Sequence, residues 1–346
     1  MKQETKRVKF GLDCGGKTIH LGRTVPLLKL KDMQDDGHQI VLIIGDFTSR
    51  VGDTSDKTGK RPVLNKDQIK ENMKDYLHLI GKILDMSKVE VHYNSAWLDN
   101  LKLDTILELF DLFTVQQMLK RQAFRDRFES TQKGGNPIPL KEFIYPLLQG
   151  YDSYAVRADI EIGGTDQVFN MMAGRDVQKF FGMEPQEVVT VPLIMGTDGN
   201  KMSTTAGNVI NITDDKKDMF DKVMSIRDDQ MMDYWKLCTR SPYVAFIERE
   251  MAEGRYDWRN WKMALAKTIV EMYHPAKTKI KVERADEVKF LDEDPAGIYC
   301  EKCNGCGEVG CDGIETFIDK HIRGKTNCQY EESYLTDIIN IYEYED

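Results

Sequence analysis

The sequence lacks long apolar runs, and this absence argues against a membrane-spanning helix. No stretch approaches the roughly 18 uninterrupted apolar residues that a membrane-spanning helix requires. The opening residues, MKQETKRVKF, are charged and have no apolar centre, so they do not form the pattern of a secretory signal. We therefore expect a cytoplasmic protein with no membrane attachment.

The sequence also lacks an excess of positive charge. Its formal net charge is −9 at pH 7, whereas proteins that coat nucleic acid without specificity usually present a basic surface. RNA binding through a local basic strip stays compatible with this balance. The chain has 346 residues, of which 41% are hydrophobic and 30% charged, which is typical of a globular protein with two or three domains.

Cysteines are few, and most of them lie near the end of the sequence. Four of the seven occur within twelve residues, at Cys300, Cys303, Cys306 and Cys311. Without an export signal, such a cluster favours metal or redox chemistry over disulfides. Thiolates suit tetrahedral Zn²⁺, but the spacing is shorter than in ordinary zinc modules. Zinc, an iron–sulfur cluster and free thiols are the three alternatives.

The hydrophobic pattern alternates between strands and helices. Predicted strands are Val8–Asp13, Gln39–Gly45, Val89–Tyr93 and Glu187–Ile194, with a helix over Leu21–Asp35 and several helices over Leu101–Gly150. This order predicts an α/β fold with a doubly wound, Rossmann-like parallel sheet, in which ligands bind beyond the carboxyl ends of the strands. We expect a catalytic domain over residues 1–213, a helical domain over 214–285 and a cysteine-rich module over 286–346.

Two short motifs are candidates for binding phosphate groups. In Gly11–Arg23 (GLDCGGKTIHLGR), a strand runs through a glycine-bearing loop into a helix that begins near His20, and helix N-termini attract phosphate. In Gly199–Asn208 (GNKMSTTAGN), small residues surround Lys201, which is typical of a mobile loop whose lysine reaches a polyphosphate. Taken singly, the first motif is equally compatible with a tight turn, and the second with a solvated loop.

Taken together, the His-Leu-Gly and Lys-Met-Ser segments resemble the paired signature of class I aminoacyl-tRNA synthetases. Three intervening segments, Val41–Gly52 (VLIIGDFTSRVG), Tyr145–Asp152 (YPLLQGYD) and Ile162–Gln167 (IGGTDQ), are similar to those of tyrosyl-tRNA synthetases of the bacterial type. The resemblance covers roughly residues 8–214 and ends after about residue 286.

The resemblance implies an ATP-dependent reaction in two steps. Tyrosine and ATP would give tyrosyl-AMP and pyrophosphate, with Mg²⁺ bridging phosphate oxygens, and the tyrosyl group would then pass to tRNA(Tyr). It also implies a homodimer, formed through the connecting segment of about residues 101–150. A tryptophanyl-tRNA synthetase and a non-catalytic paralogue that binds RNA are the alternatives.

The resemblance further implies which residues form the tyrosine pocket. Asp152 would accept a hydrogen bond from the phenol hydroxyl, because discrimination against phenylalanine requires a buried polar group that only a phenol satisfies. Asp53, Tyr145 and Gln149 would hold the substrate ammonium group. The other expected positions of the pocket are Lys9, Gly11, Asp13 and Gln167.

A second set of implied residues would bind ATP and stabilise charge in the transition state. The expected ATP-binding residues are Gly22, Arg23, Gly164, Asp166 and Lys201. The expected catalytic residues are His20, Lys57, Arg61, Lys201, Ser203 and Thr205. Their task would be positioning and charge stabilisation, since the tyrosine carboxylate is already ionised at neutral pH and needs no general base.

The sequence departs from the family pattern at several positions. Arg23 stands where the family usually has a second histidine, and Thr204 replaces a second loop lysine, which predicts slower turnover unless neighbouring basic residues compensate. Lys9 occupies a position where one branch of the family has a tyrosine that touches the substrate phenol and another branch has lysine. The RNA-binding domain that ends most bacterial relatives is not recognisable in the sequence.

Overall fold

In the computed structural model, five short apolar segments pair side by side as one parallel sheet. The strands are β1 (Arg7–Leu12), β2 (Gln39–Ile44), β3 (Val89–Tyr93), β4 (Ile160–Gly164) and β5 (Glu187–Val191). Their order is β3-β2-β1-β4-β5. Five of the six residues of β2 are buried, as expected for a strand covered on both faces. The predicted doubly wound parallel sheet is confirmed.

The structure describes residues 4–13, 18–53, 66–131, 137–204, 206–254, 258–274, 279–284 and 287–291. The chain divides into two compact units, Met1–Pro242 and Tyr243–Asp346. Within the described ranges, no helix is both long and apolar enough to cross a membrane. The domain boundaries expected near residues 214 and 286 stay predictions.

Twelve α-helices are described in the first unit, several of them only one turn long. They are α1 (Leu21–Asp35), α2 (Thr48–Val51), α3 (Lys66–Ile80), α4 (Ser95–Leu98), α5 (Leu103–Phe110), α6 (Val115–Lys120), α7 (Gln122–Thr131), α8 (Leu140–Phe143), α9 (Tyr145–Ala155), α10 (Val168–Phe180), α11 (Lys216–Ser225) and α12 (Met231–Cys238). Short 3₁₀ turns cover Met86–Lys88, Thr165–Gln167 and Asp228–Gln230. Helix α1 and strand β3 have the predicted bounds.

The second unit contains two helices and a hairpin in its described part. The helices are α13 (Val244–Ala252) and α14 (Trp258–Tyr273), and the antiparallel strands are β6 (Lys279–Arg284) and β7 (Glu287–Leu291). Ten of the sixteen residues of α14 are buried, including Trp261 and Tyr273. The sequence pattern predicts the helices of this region but not the hairpin.

The order of the strands reverses between β1 and β4. Strand β1 pairs with β2 on one side and with β4 on the other, all in parallel, so the connections diverge from this point. In doubly wound sheets the crevice beyond the carboxyl ends of these two strands binds ligands. Asp13 follows β1 directly, and the turn Thr165–Gln167 follows β4. The fold therefore places two of the predicted site segments at this crevice.

Helix α9 packs closely against α10, and a glycine makes this approach possible. A Cβ atom added at Gly150 would lie 2.8 Å from Cγ2 of Val177 and 3.2 Å from the carbonyl oxygen of Ala173. Both distances are shorter than a normal contact, and the second involves backbone that cannot rotate away. The absence of a side chain at Gly150 thus determines how near α9 lies to α10.

We expect Gly150→Ala to destabilise the protein by about 1–2 kcal/mol, because overpacking outweighs the helix propensity of alanine. Urea denaturation of both proteins measures the difference in the free energy of unfolding. Val177→Ala is the matched background, since it removes the clashing methyl group and should reduce the effect of Gly150→Ala. A Gly150→Ala protein as stable as the parent would contradict this account.

Candidate active site

Asp152 is a buried carboxylate held by two donors. Only 3% of its surface is exposed. The indole Nε1–H of Trp97 donates to Oδ1 at 2.7 Å, and Nδ2 of Asn94 donates to Oδ2 at 3.2 Å. Burial raises the pKa of Asp152 to about 7, and the positive charge of Lys9 is the main influence opposing that rise. Asp152 is therefore fixed in orientation, and its charge depends on its surroundings.

A chain of hydrogen bonds runs from Asp152 to the end of β1. Asn94 Nδ2 also donates to the hydroxyl of Thr48 at 3.1 Å, and that hydroxyl donates to Oδ1 of Asp13 at 3.2 Å. The phenol of Tyr145 donates to Oδ2 of Asp13 at 3.0 Å. Burial and the negative charge of Asp13 raise the pKa of Tyr145 well above its usual value, so the phenol stays protonated.

A second polar cluster surrounds Asp53. Gln167 donates through Nε2 to Oδ2 of Asp53 at 2.7 Å, and Asn170 donates through Nδ2 to Oε1 of Gln167 at 3.0 Å. Arg121 donates to Oδ1 of Asn170 at 3.1 Å, and its guanidinium lies 4.0 Å from the centre of the Phe169 ring. Asp53 is thus anchored by side chains that themselves have fixed orientations.

The two motifs that resemble a synthetase signature meet in the structure. The backbone N–H of Gly22 points at the sulfur of Met202, 3.2 Å away, and the N–H of Leu21 donates to the carbonyl oxygen of Ile210 at 2.9 Å. Lys201 forms an ion pair with Asp166, with Nζ 2.8 Å from Oδ2. Residues separated by about 180 positions in the sequence therefore form one side of the crevice.

His20 lies buried where helix α1 begins. Its side chain is 7% exposed, and its Nδ1 atom has no hydrogen-bond partner among the described residues. Burial, together with the positive charges of Arg23 and Lys201, lowers the pKa of His20 to about 3. The imidazole is therefore neutral at physiological pH, so it can form hydrogen bonds without adding a positive charge.

Asn208 holds the loop that carries Lys201. Its Nδ2 atom donates to Oδ1 of Asp198 at 2.7 Å and to the carbonyl oxygen of Lys201 at 3.1 Å, while its Oδ1 accepts from the backbone N–H of Ser203 at 2.8 Å. Asn208 is 4% exposed. The sequence pattern suggests a mobile loop, whereas the described residues of this loop are joined through one buried amide.

The other predicted residues fall into three groups. Arg23 donates to the hydroxyl of Tyr76 at 2.9 Å, and Gly164 lies against Asp166, whose Oδ1 would be 2.5 Å from an added Cβ. Gly11 has open space around it, since an added Cβ would meet nothing within 4 Å. Outside the described residues lie Lys57, Arg61, Thr205, Cys300, Cys303, Cys306 and Cys311. In the part that the structure describes, no group of three or more His, Cys, Asp or Glu residues could hold a metal ion.

Several residues of the site are not identified by the sequence analysis. Asn94 and Trp97 hold Asp152 from the end of β3 and from α4, and the position of Asn94 directly after a predicted strand is the sequence feature that could have identified it. Arg121 and Asn170 have no such feature, because only folding brings them next to Asp53. Sequence reasoning thus finds the residues of known motifs more readily than those that orient them.

The fold and the geometry of the site are together typical of one class of protein. A buried carboxylate, a helix start and a loop lysine lie around the carboxyl ends of the strands of a doubly wound sheet, as in enzymes that join a small polar ligand to a nucleotide. A model of the family described as tRNA synthetases class I (W and Y) matches residues 1–290. The chain belongs to this family, and the resemblance seen in its sequence motifs is confirmed.

Similar proteins support the same assignment. The chain is 43% identical to the tyrosine–tRNA ligase of Bordetella avium over 289 residues, which cover 83% of this chain and 69% of that protein. It is 44% identical to the tyrosine–tRNA ligase of Thermotoga maritima over 271 residues, which cover 78% and 67%.

Solved structures share the fold at lower sequence identity. The tyrosyl-tRNA synthetase of Aeropyrum pernix has a TM-score of 0.65 at 17% identity, covering 79% of this chain and 84% of that one. The tyrosyl-tRNA synthetase of Archaeoglobus fulgidus, complexed with L-tyrosine, has a TM-score of 0.61 at 20% identity, covering 78% and 89%. At these identities the likeness establishes the fold alone.

The raised pKa of Asp152 predicts how stability depends on pH. A carboxyl with a pKa of about 7 in the folded state and an ordinary value of 3.8 when unfolded keeps its proton longer in the folded state. The contribution of this carboxyl group to the free energy of unfolding is present at low pH and is lost as pH rises towards 7. Between about pH 5 and about pH 8, the parent should lose about 3 kcal/mol relative to Asp152→Asn, which cannot titrate there. Urea denaturation at both pH values measures this, and parallel pH profiles for the two proteins would refute it.

Proposed function

We propose that this protein is a tyrosine–tRNA ligase. It activates L-tyrosine with ATP, giving tyrosyl-AMP and pyrophosphate, and then transfers the tyrosyl group to a terminal ribose hydroxyl of tRNA(Tyr). The observation that carries the proposal is the buried Asp152 carboxylate, oriented by Trp97 and Asn94. Membership of the family for tryptophan and tyrosine, and relatives named tyrosine–tRNA ligase at 43% and 44% identity, support it.

Asp152 favours a phenol over other aromatic side chains. A carboxylate that is buried and ionised needs a hydrogen-bond donor, and the tyrosine hydroxyl supplies one at the far end of the ring. Phenylalanine offers no donor, so the lone pairs of the carboxylate that Trp97 and Asn94 do not occupy would lose water and gain no partner. Tryptophan carries its donor on a larger ring and at a different position, so it is the second candidate and the direct competitor in any assay.

The remaining polar groups suit the amino-acid end of the substrate. The Asp53 carboxylate, the Tyr145 phenol oxygen and the Gln149 amide oxygen are acceptors for an ammonium group. Asp53 is anchored by Gln167, and Tyr145 is anchored by Asp13, so both are already oriented before a ligand binds. An amino acid held in this way directs its carboxylate towards the helix start at His20, where a triphosphate would lie.

His20 and Lys201 would stabilise the charge that develops on the phosphates. The neutral imidazole of His20 can donate one N–H to a phosphoryl oxygen without changing its protonation. Lys201 must leave Asp166, but an ion pair this exposed contributes only about 0–1 kcal/mol, so a polyphosphate can displace it. Asp166 would then be available as an acceptor for the ribose hydroxyls.

The resemblance to the family supplies the remaining parts of the proposal. Mg²⁺ would bind phosphate oxygens of ATP rather than a protein cage. Lys57, Arg61 and Thr205 stay predictions as phosphate ligands, and zinc binding by the four clustered cysteines stays a prediction as well. The homodimer and the contact with tRNA rest on the family resemblance.

The decisive experiment is ATP–pyrophosphate exchange with tyrosine, tryptophan and phenylalanine in parallel. We expect exchange with tyrosine and little with the other two. Asp152→Asn should lower kcat/KM for tyrosine by about 100-fold, since it removes a charged hydrogen-bond acceptor. Asp176→Asn, which alters an exposed carboxylate on α10, is the matched control and should leave exchange unchanged. Exchange that prefers tryptophan, or no exchange at all, would overturn the assignment.

His20 gives a second expected outcome. His20→Ala should lower kcat for exchange by about 10²–10³-fold with little change in KM for tyrosine, because the lost hydrogen bond strengthens only in the transition state. His20→Gln keeps a neutral donor and should retain more activity. Because the pKa of His20 is about 3, the kcat of the parent should show no transition from this group above about pH 5. A histidine-like transition near neutrality that His20→Gln abolishes would contradict the proposed role.

A further inference from the structure

Two opposite charges face each other inside the central sheet. Lys9 on β1 and Glu161 on β4 are paired in register, and Nζ lies 2.9 Å from Oε1. Their side chains are 0% and 1% exposed. Lysine and glutamate are almost never fully buried, and a buried ion pair is often no more stabilising than an apolar pair of the same size. Fold stability alone therefore does not account for this pair.

All three donors of Lys9 are used within the protein. Nζ donates to the backbone carbonyl oxygen of Gln149 at 2.9 Å, to Oγ of Ser153 at 2.8 Å and to Oε1 of Glu161 at 2.9 Å. An ammonium group has three N–H bonds, so none remains for a substrate hydroxyl in this arrangement. Gln149 and Ser153 lie on either side of Asp152 in α9. Lys9 therefore ties the turn of α9 that carries Asp152 to the sheet.

Glu161 is bonded to the same turn. Its Oε1 accepts from Nε2 of Gln149 at 3.1 Å, and its Oε2 accepts from Oγ of Ser153 at 3.2 Å. Gln186 also donates to Oε2 of Glu161. Because the side-chain amide nitrogen of Gln149 is engaged by Glu161, its side-chain oxygen Oε1 is the end left to accept from a ligand, whereas its backbone oxygen accepts from Lys9. The side-chain oxygen is the atom that a substrate ammonium group requires.

The two charges act on Asp152 in opposite directions. Lys9 favours the ionised form of Asp152 and so lowers its pKa, whereas Glu161 disfavours that form and raises the pKa. Lys9 is the larger of the two influences. The charged and titratable groups around Asp152 and its hydrogen-bond partners are Lys9 and Asp13 at β1, Glu161 on β4, Tyr145 on α9, Asp53 after α2, and His92 on β3 beside Trp97.

We propose that Lys9 and Glu161 are positioning residues that act through Asp152 and Gln149. Lys9 favours Asp152 as the ionised acceptor for the substrate hydroxyl, and Glu161 turns the Gln149 side-chain amide so that its oxygen faces the substrate ammonium group. The proposal rests on the proposed function and assigns specificity to a pair that does not touch the substrate.

The test compares Glu161→Gln with the double variant Lys9→Met/Glu161→Gln. The double variant replaces both charges together, so it avoids leaving one buried charge unpaired. The readout is kcat/KM for tyrosine in pyrophosphate exchange as a function of pH. In Glu161→Gln the midpoint of the acidic limb should move to lower pH. In the double variant it should move to higher pH by about one unit, with kcat/KM about tenfold lower near neutrality.

A purely structural role would give a different result. Both variants would then lose activity with no shift in the midpoint, or with shifts in the same direction, and either outcome would overturn the proposal. Lys179→Met/Asp176→Asn neutralises an exposed Lys–Asp pair on α10 and should change nothing. If a variant folds poorly, urea denaturation will reveal it, and Lys9→Gln/Glu161→Gln then serves as the second neutral pair.

Titration of Asp152 in the free protein separates this proposal from the proposed function. Carbon-13 NMR of labelled aspartate, assigned with Asp152→Asn, reports the pKa without any substrate. The pKa should fall in Glu161→Gln and rise in the double variant. Absence of tyrosine-dependent exchange combined with these shifts would refute the proposed function and leave the electrostatic coupling standing. Unchanged pKa values would refute the coupling even in an active enzyme.

Discussion

The candidate site depends on one constraint: an ionisable carboxyl group must lie out of water and still be satisfied. Asp152 meets it with a donor for each oxygen, from Trp97 and Asn94, and with a positive charge nearby on Lys9. Removal from water disfavours the ionised form, so every neighbour of Asp152 affects whether it carries a charge. A group so placed binds a donor strongly and penalises a ligand that brings none.

The sheet makes this arrangement possible because its strands are parallel and their order reverses between β1 and β4. The carboxyl ends of adjacent strands lie at the same edge, so Asp13, Asn94 and Asp166 converge although they are far apart in the sequence. Close packing of α9 on α10, allowed by Gly150, then brings the face with Tyr145, Gln149 and Asp152 over the same edge. These three side chains are thus carried by a helix that packs closely on its neighbour, which suits a site that must distinguish similar ligands.

The side of the crevice that we expect to bind the nucleotide combines exposed and buried groups. Lys201 and Asp166 form an exposed ion pair that a polyphosphate can replace at little cost, while His20 is buried and neutral. Groups that must exchange partners are therefore at the surface, and groups that must keep one orientation are buried. The side-chain amide of Asn208 allows both in one loop, because it fixes the backbone of the loop and leaves the end of Lys201 exposed.

The sequence by itself determined the α/β class, the bounds of α1 and β3, and the family, because strand and helix periodicities and short motifs are local properties. It also named Asp152, Asp53 and Lys201 as candidates through their motifs. Only the tertiary structure decided what orients them: Trp97 on Asp152, Arg121 and Asn170 beside Asp53, and Glu161 opposite Lys9. These partners lie 49 to 152 positions along the chain from the residues they contact. Such contacts leave no periodic trace in the chain, since the burial that gives them their energy exists only once the sheet and helices have packed.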